Sequence, residues 1–350
     1  MSQTKFIGYV GTYTKGDSKG IYRFSLDTET KQLSEPVLAA EIGSPTYVNL
    51  SSDNKTLYSV AKADSQGGVA VYSVNTETGE LETIATDITD AGSPCHVSVN
   101  SANTAVVTAN YHTGVIAAYT VAEDGSLTLA SSQKHEGTGP HERQDKAHAH
   151  YSGFTPDEKY VVAVDLGVDK VVSYKLNEQN ELVEAASLSV KPGSGPRHIE
   201  FHPNGKTAYV MTELSNEVIV LSYNAETGEF KDLQYLKAIP EDFTENSQGS
   251  AIHVSKDGKF VYAGNRGHNS IAIFRVNEEN DELTFVEHAS TEGAWPRDFE
   301  FDPTGTFIVG SNEESGNLVL FERDETTGKL TVLQSDVKVP YPVCVKFMNV

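Results

Sequence analysis

Apolar and polar residues alternate along this chain in short runs broken by turns, and the pattern returns about every 50 residues. Six segments align under one another: SPTYVNLSSDNKTLYSVAK from Ser44, SPCHVSVNSANTAVVTANY from Ser93, HAHYSGFTPDEKYVVAVDL from His148, GPRHIEFHPNGKTAYVMTE from Gly195, QGSAIHVSKDGKFVYAGNR from Gln248 and WPRDFEFDPTGTFIVGSNE from Trp295. Their shared order is a small residue or proline, an alternating strand, a polar turn such as PNGK or KDGK, and a second, more apolar strand. A third strand follows, as in GGVAVYSVN (67–75) and SIAIFRVN (270–277). Then come a turn such as NTETGEL, NAETGEF or DETTGKL and a fourth, more polar strand. Four antiparallel strands of outward-rising polarity make a propeller blade, because neighbouring blades cover the inner strands while the outermost meets water. No helical apolar periodicity of any length is present.

The two ends complete the count. The first unit, KFIGYVGTYTKGDSKGIYRFSLDTETKQL, lacks an opening strand, and the final YPVCVKFMNV is an opening strand with nothing after it. Joined, they form one blade, with the C-terminal segment (Tyr341–Phe347) inside and the N-terminal segment supplying the outer three strands. Such a joint closes a ring and removes its exposed edges. The expected fold is all-β, a seven-bladed β-propeller spanning residues 1–350 as one domain, with no linker and one longer insertion, TGPHERQDKAHAH (138–150).

Composition narrows the setting. Hydrophobic residues make up 38% of the chain, no apolar run approaches a membrane span, and the N-terminus lacks a signal layout. A net charge of −22 repels nucleic acid and anionic lipid, so neither is an expected partner, although clustered arginines still admit a small anion. Cys95 and Cys344 give no disulfide framework and no paired zinc spacing, which fits a reducing cytoplasm and no metal. The chain is expected to act as a monomer or small homo-oligomer.

The repeat locates a site. Strands alternate in direction, so the start of each first strand and the end of each second strand lie on one face and converge on one mouth of the central channel. The first set is Thr46, Cys95, His150, Arg197, Ser250, Arg297 and Val343, and the second is Tyr13, Lys62, Tyr111, Leu166, Glu213, Arg266 and Glu313. Just before the second set stand Thr12, Ala61, Asn110, Asp165, Thr212, Asn265 and Asn312. A purely structural position would repeat one residue type, whereas these diversify into His, Arg, Glu, Lys, Tyr and Asn. Arginine forks suit carboxylate or phosphate, and an adjacent carboxylate or imidazole can move a proton. The competing reading is that Arg197–Glu213 and Arg297–Glu313 merely tie blades together. His148 and His150, which abut the insertion, are ligands, bases or packing residues. No GxSxG, HExxH or phosphate-loop motif occurs.

The segments GTYT (11–14), HERQDKAHAH (141–150), GPRHIEFHPNGKTAYV (195–210), GNRGHNSIAIF (264–274) and WPRDFEFDPTG (295–305) together resemble the propeller-type lactonase family over essentially the whole chain. The resemblance implies hydrolysis of a six-membered sugar lactone without a cofactor, foremost the anionic phosphosugar 6-phosphogluconolactone of the pentose phosphate pathway. A fungal branch of the family implies instead cycloisomerisation of a carboxylated muconate by one His, two Arg and one Glu. By motif these correspond to His148 or His150, Arg197, Arg266 and Glu213. The expected roles are Glu213 or His150 as base, Arg197 at the oxyanion, and Arg266 with Arg297 at the phosphate. Lys62, Tyr111 and Asn110 are expected along the sugar. A non-catalytic binding scaffold is the remaining alternative. A calcium-dependent six-bladed lactonase is disfavoured by the repeat count, although Asn110, Asp165 and Asn265 offer oxygen donors.

Overall fold

A computed structural model describes residues 3–349, so the domain limits expected at 1 and 350 lie outside the described residues. Among those residues there is no α-helix, and none therefore is long and apolar enough to cross a membrane. The strands form seven antiparallel sheets. The inner strands are Val48–Leu50, His96–Val99, Ala149–Phe154, Pro196–Phe201, Gln248–Val254, Pro296–Phe301 and Pro342–Phe347. Each touches the next, and the last touches the first, closing a circle around a central channel. We number the blades one to seven in that order.

Packing follows from this ring. Seven apolar clusters fill the seven interfaces between neighbouring blades. In one of them Tyr209, Met211, Val218 and Val220 of blade four meet Ile252, Val261, Ala263 and Ala272 of blade five. Each blade is thus a two-sided apolar slab, which explains why second strands such as Thr207–Thr212 are buried at every position while fourth strands such as Leu182–Ser189 are largely exposed. A tyrosine strengthens several interfaces by donating its hydroxyl to a carbonyl in the next blade's outer turn. The pairs are Tyr9 to Gly79, Tyr160 to Glu226, Tyr209 to Asp281 and Tyr262 to Gly328, at 2.7–3.1 Å. The recurring aromatic positions of the sequence are therefore core with one polar tip.

The two ends pair as the repeat requires. Pro342–Phe347 runs antiparallel to Lys5–Thr12, with Tyr9 opposite Lys346 and Val10 opposite Val345. The outer part of blade seven departs from the simple repeat. Its fourth strand is broken into Gln32–Leu33 and Val37–Glu41, both pairing with Gly20–Asp27. Pro36 falls in the gap and has no N–H to give the ladder.

A chain ending at Val339 keeps six blades but leaves the inner edge of Lys5–Thr12 unpaired and two interfaces open. Circular dichroism melting should show loss of the cooperative transition, or a midpoint lower by at least about 10 °C. An unchanged melt would refute the closure role.

Candidate active site

The convergent side chains are aimed by a repeated backbone device. In blade three Ala149 pairs with Asp165 and Tyr151 with Val164, leaving His150 as an extra residue. In the same way Arg197 is extra between Pro196 and His198 in blade four, and Arg297 between Pro296 and Asp298 in blade six. Val343 is extra in blade seven, and blade five has its irregularity at Ser250 and Ala251. A β-bulge frees one residue from the ladder and re-aims it. Here it turns His150, Arg197, Arg297 and Val343 into the channel mouth, while Ser250 donates to the Pro296 carbonyl.

The charges at that mouth are organised by Glu213, which follows the second strand of blade four and is 3% exposed. Its Oε2 accepts from Arg197 Nε at 3.1 Å and lies 2.7 Å from Arg266 Nη2, while its Oε1 accepts from Arg143 Nη2. Burial opposes ionisation of Glu213, but Arg266, Arg197, His150 and Arg143 outweigh it and hold the carboxyl well below the ordinary carboxylate range. Arg266 also donates to the Gly249 carbonyl at 2.8 Å. A Cβ on Gly249 would stand 2.1 Å from the Thr212 carbonyl, so glycine is what lets blades four and five close on this pair. Arg143 comes from the 138–150 insertion and is the one arginine of the three with substantial exposure. Arg143 lies in HERQDKAHAH (141–150) but at neither of the convergent repeat positions. Its signal was the insertion itself, the one long loop on the converging face.

Beside the arginines His150 is buried, and its Nδ1 has no hydrogen-bond partner among the described residues. Burial first, then the charge of Arg197, hold this imidazole well below its usual range, so it is neutral at pH 7. Arg197 Nη1 and Arg266 Nε are likewise buried and unpartnered. Behind them, His198 lies 5.2 Å from His150 ring to ring and 5.6 Å from His96, in a column down the channel. A cavity of about 30 Å³ lies there, lined by His150, Arg197, His198, Arg297, Tyr13 and Cys95 among others. Burial pushes the Cys95 thiol up to about 12, so it stays protonated and is no nucleophile.

Other expected residues take varied places. Arg297 stacks over Tyr13 at 5.2 Å and reaches Glu313 at 3.4 Å, and Lys15 approaches Glu313 at 3.7 Å. Tyr111 stacks on His148 at 4.2 Å. His148 is tied by both nitrogens, to the Tyr111 carbonyl at 2.8 Å and to Asp145 at 3.0 Å, and so holds the loop. Lys62 is exposed at the rim near His112. Asn110 is spent on local structure rather than facing a ligand: its amide donates to the Gly92 carbonyl and accepts from His112 and Thr113 N–H groups. Asn265 and Asn312 likewise donate to the carbonyls of Ala238 and Thr291, while their own Oδ1 atoms accept nothing among the described residues. Asp165 accepts from His148 N–H and Gly167 N–H, and is braced through His135 to Tyr174 at 2.7 Å per step. Among the described residues, no group of three or more His, Cys, Asp or Glu is placed to hold a metal ion.

Larger hollows lie elsewhere. One of about 630 Å³ runs between blades seven and one near Lys5 and Arg23, and one of about 410 Å³ sits at the opposite channel mouth beside Glu200, His253 and Lys346. Size does not decide between them: the unpartnered buried donors of Arg197 and Arg266, and the free His150 nitrogen, are all at the first mouth.

A closed seven-bladed ring whose one basic mouth joins arginines, a glutamate and a neutral imidazole defines a propeller hydrolase. Comparison with known proteins makes this specific. The family model for "Lactonase, 7-bladed beta-propeller" matches residues 7–347, and the chain belongs to that family of carboxylic ester hydrolases. It is 62% identical over 347 residues to the 6-phosphogluconolactonase of Bacillus subtilis, covering 99% of each chain. Among solved structures it is similar to a protein from Lactobacillus plantarum, with a TM-score of 0.95 at 40% identity, covering 99% of this chain and 100% of that one. It is also similar to the periplasmic gluconolactonase of Pseudomonas aeruginosa, with a TM-score of 0.92 at 33% identity and 99% of each chain covered.

Two measurements check these electrostatics. Glu213→Gln leaves three arginines without their counter-charge and should cost about 3–5 kcal/mol of stability in denaturant unfolding. Less than about 1 kcal/mol would contradict the charge balance. Stability should also fall with acid. The imidazoles of His96, His150 and His198 are lowered from 6.5, the first to about 3, so the unfolded chain takes up protons that the fold refuses. Their contribution is whole above about pH 6.5 and is lost as pH falls below it. Glu213, also lowered, adds a loss that begins only below its ordinary value of 4.5. A thermal midpoint that stays flat from about pH 7 to about pH 5 would contradict the histidine part.

Proposed function

We propose that this protein hydrolyses 6-phosphogluconolactone to 6-phosphogluconate, with His150 as the general base. The observation that carries the reading is the neutral, unpartnered His150 nitrogen beside the unpartnered Arg197 Nη1, over a cavity of about 30 Å³. That volume suits about one water and not a sugar. The lactone then rests on the mouth, and the attacking water approaches from the channel side. Glu213 is a poor base because three arginines already occupy its oxygens. Its role is to hold Arg197 and Arg266 in place.

In the reaction, His150 takes one proton from the water as its oxygen bonds to the carbonyl carbon. The carbonyl oxygen becomes an oxyanion, which Arg197 stabilises. Collapse breaks the ring C–O bond, and the departing oxygen receives the proton from His150. The new carboxylic acid then ionises to solvent. Arg266 and Arg297, with Lys15 and Arg143 nearby, give the mouth a positive excess suited to a phosphate in a chain of net charge −22. The relative from Bacillus subtilis supports this substrate by its name. The unpaired Cys95 and Cys344 accord with a cytoplasmic place in sugar metabolism.

The test is turnover of fresh 6-phosphogluconolactone above its spontaneous hydrolysis. Arg197→Ala should lower kcat by about 10²-fold, the scale of one lost oxyanion donor. His150→Gln should lower it by about 10²-fold or more. Arg297→Ala should act mainly on KM. Absence of acceleration by the parent protein would overturn the reading, and near-normal turnover in His150→Gln would remove the proposed base.

A further inference from the structure

At three of the seven blades the inner strand begins with a proline, in blade one a proline lies three residues before it, and in all four the residue before the proline has a left-handed backbone. These residues are Ser44 (φ 42°), Gly195 (φ 61°), Trp295 (φ 65°) and Tyr341 (φ 48°). The turn into the strand imposes this shape. Gly195 meets the demand without a Cβ, and Ser44 with a small side chain. A bulky residue at positive φ is strained, and a following proline restricts it further. Trp295 is the largest side chain that the slot could receive. Trp295 and Tyr341 both keep bulky side chains in this strained position, which points to a function for those side chains, and of the two it is Trp295 that lies against an arginine of the site.

Its surroundings say what the function is. The Trp295 N–H is held by Asn269 Oδ1 at 2.9 Å, and its carbonyl accepts from Glu313 N–H at 3.0 Å, so the backbone is fixed on both sides. The indole is only partly buried and sits against Arg266, 5.6 Å from guanidinium carbon to ring centroid. Arg266 is in turn bound to Glu213, and Arg297 follows two residues after Trp295. The ring therefore stands at the mouth against Arg266, two residues before Arg297, and offers an apolar face beside these charges.

We infer that Trp295 is the platform on which the ring of a phosphorylated sugar lactone lies while Arg266 and Arg297 hold its charge. An aldonolactone presents C–H bonds on its ring face, and these complement the electron-rich face of an indole. An acyclic or purely anionic ligand gains nothing from it. The platform thus adds selectivity for a ring to the selectivity for charge given by the arginines. This inference rests on the function proposed above and adds a specificity residue to it.

Trp295 is the only tryptophan in the chain, so its emission reports on the mouth alone. Titration of the intact protein with glucose 6-phosphate, a stable phosphorylated six-membered ring, should change that emission saturably, with a midpoint matching its inhibition of turnover, and the acyclic 6-phosphogluconate should change it less. In steady-state kinetics Trp295→Ala should raise KM about tenfold with kcat changed by less than about threefold, and Trp295→Phe should recover most of the loss. Trp295→Gly should match the alanine variant in KM and be the more stable of the two, because glycine relieves the backbone. Unchanged emission at inhibitory ligand concentration, or a lowered melting point with unchanged KM, would overturn the inference. Emission that answers to a non-phosphorylated sugar ring such as glucose, in a protein that does not turn over the phosphorylated lactone, would instead reject the substrate reading and retain the platform.

Discussion

Seven interfaces between blades can all be filled only if the two ends of the chain meet. Each blade buries apolar residues on both faces, so a blade without a neighbour exposes a slab of core. Only a ring removes that cost for the first and last blades together, and the pairing of Pro342–Phe347 with Lys5–Thr12 makes the ring. This constraint reaches the site. Val343 and Arg297 line the same small cavity as Arg197 and His150, although they come from three blades other than that of Arg197. Their convergence depends on the circle being complete.

Within the circle, chemistry is gathered by two opposed demands. Buried arginines need a counter-charge, and Glu213 supplies one to Arg143, Arg197 and Arg266 together. The base proposed above needs a nitrogen free of hydrogen bonds, and His150 keeps one because the surrounding donors are turned to Glu213 or left unpartnered. Satisfying every group would have built a tighter interface and no reaction centre. The unpaired donors are where the local rules of polar burial are broken, and such breaches are expected at functional sites.

Much of this was legible beforehand. Four strands per blade, ring closure and the meeting of His150, Arg197, Glu213, Arg266 and Arg297 follow from a repeat and from alternating strand direction, which are periodic properties of sequence. Three things were not legible. The β-bulges that aim His150, Arg197 and Arg297 are a matter of hydrogen-bond register, which no periodicity reports. Arg143 belongs to an insertion with no repeat partner to align with. Asn110 looked like a site residue because its position varies among Asn, Asp, Thr and Ala. The structure shows that several polar groups perform the same bracketing there, so diversity of type was not diversity of role. Likewise His148 and His150 are two residues apart, and only their hydrogen bonds separate the anchored ring from the free one.

The acidic exterior has a consequence for traffic through the basic mouth. Opening any lactone converts a neutral ester into an acid that ionises near neutrality, so the product leaves with one more negative charge than the substrate brought. A shell carrying most of a −22 net charge repels that product more strongly than the substrate once either is beyond the arginines. The same field that slows arrival therefore slows re-entry more. At low ionic strength this field weakens rebinding of product relative to substrate, and added salt, by shortening its reach, erodes that difference.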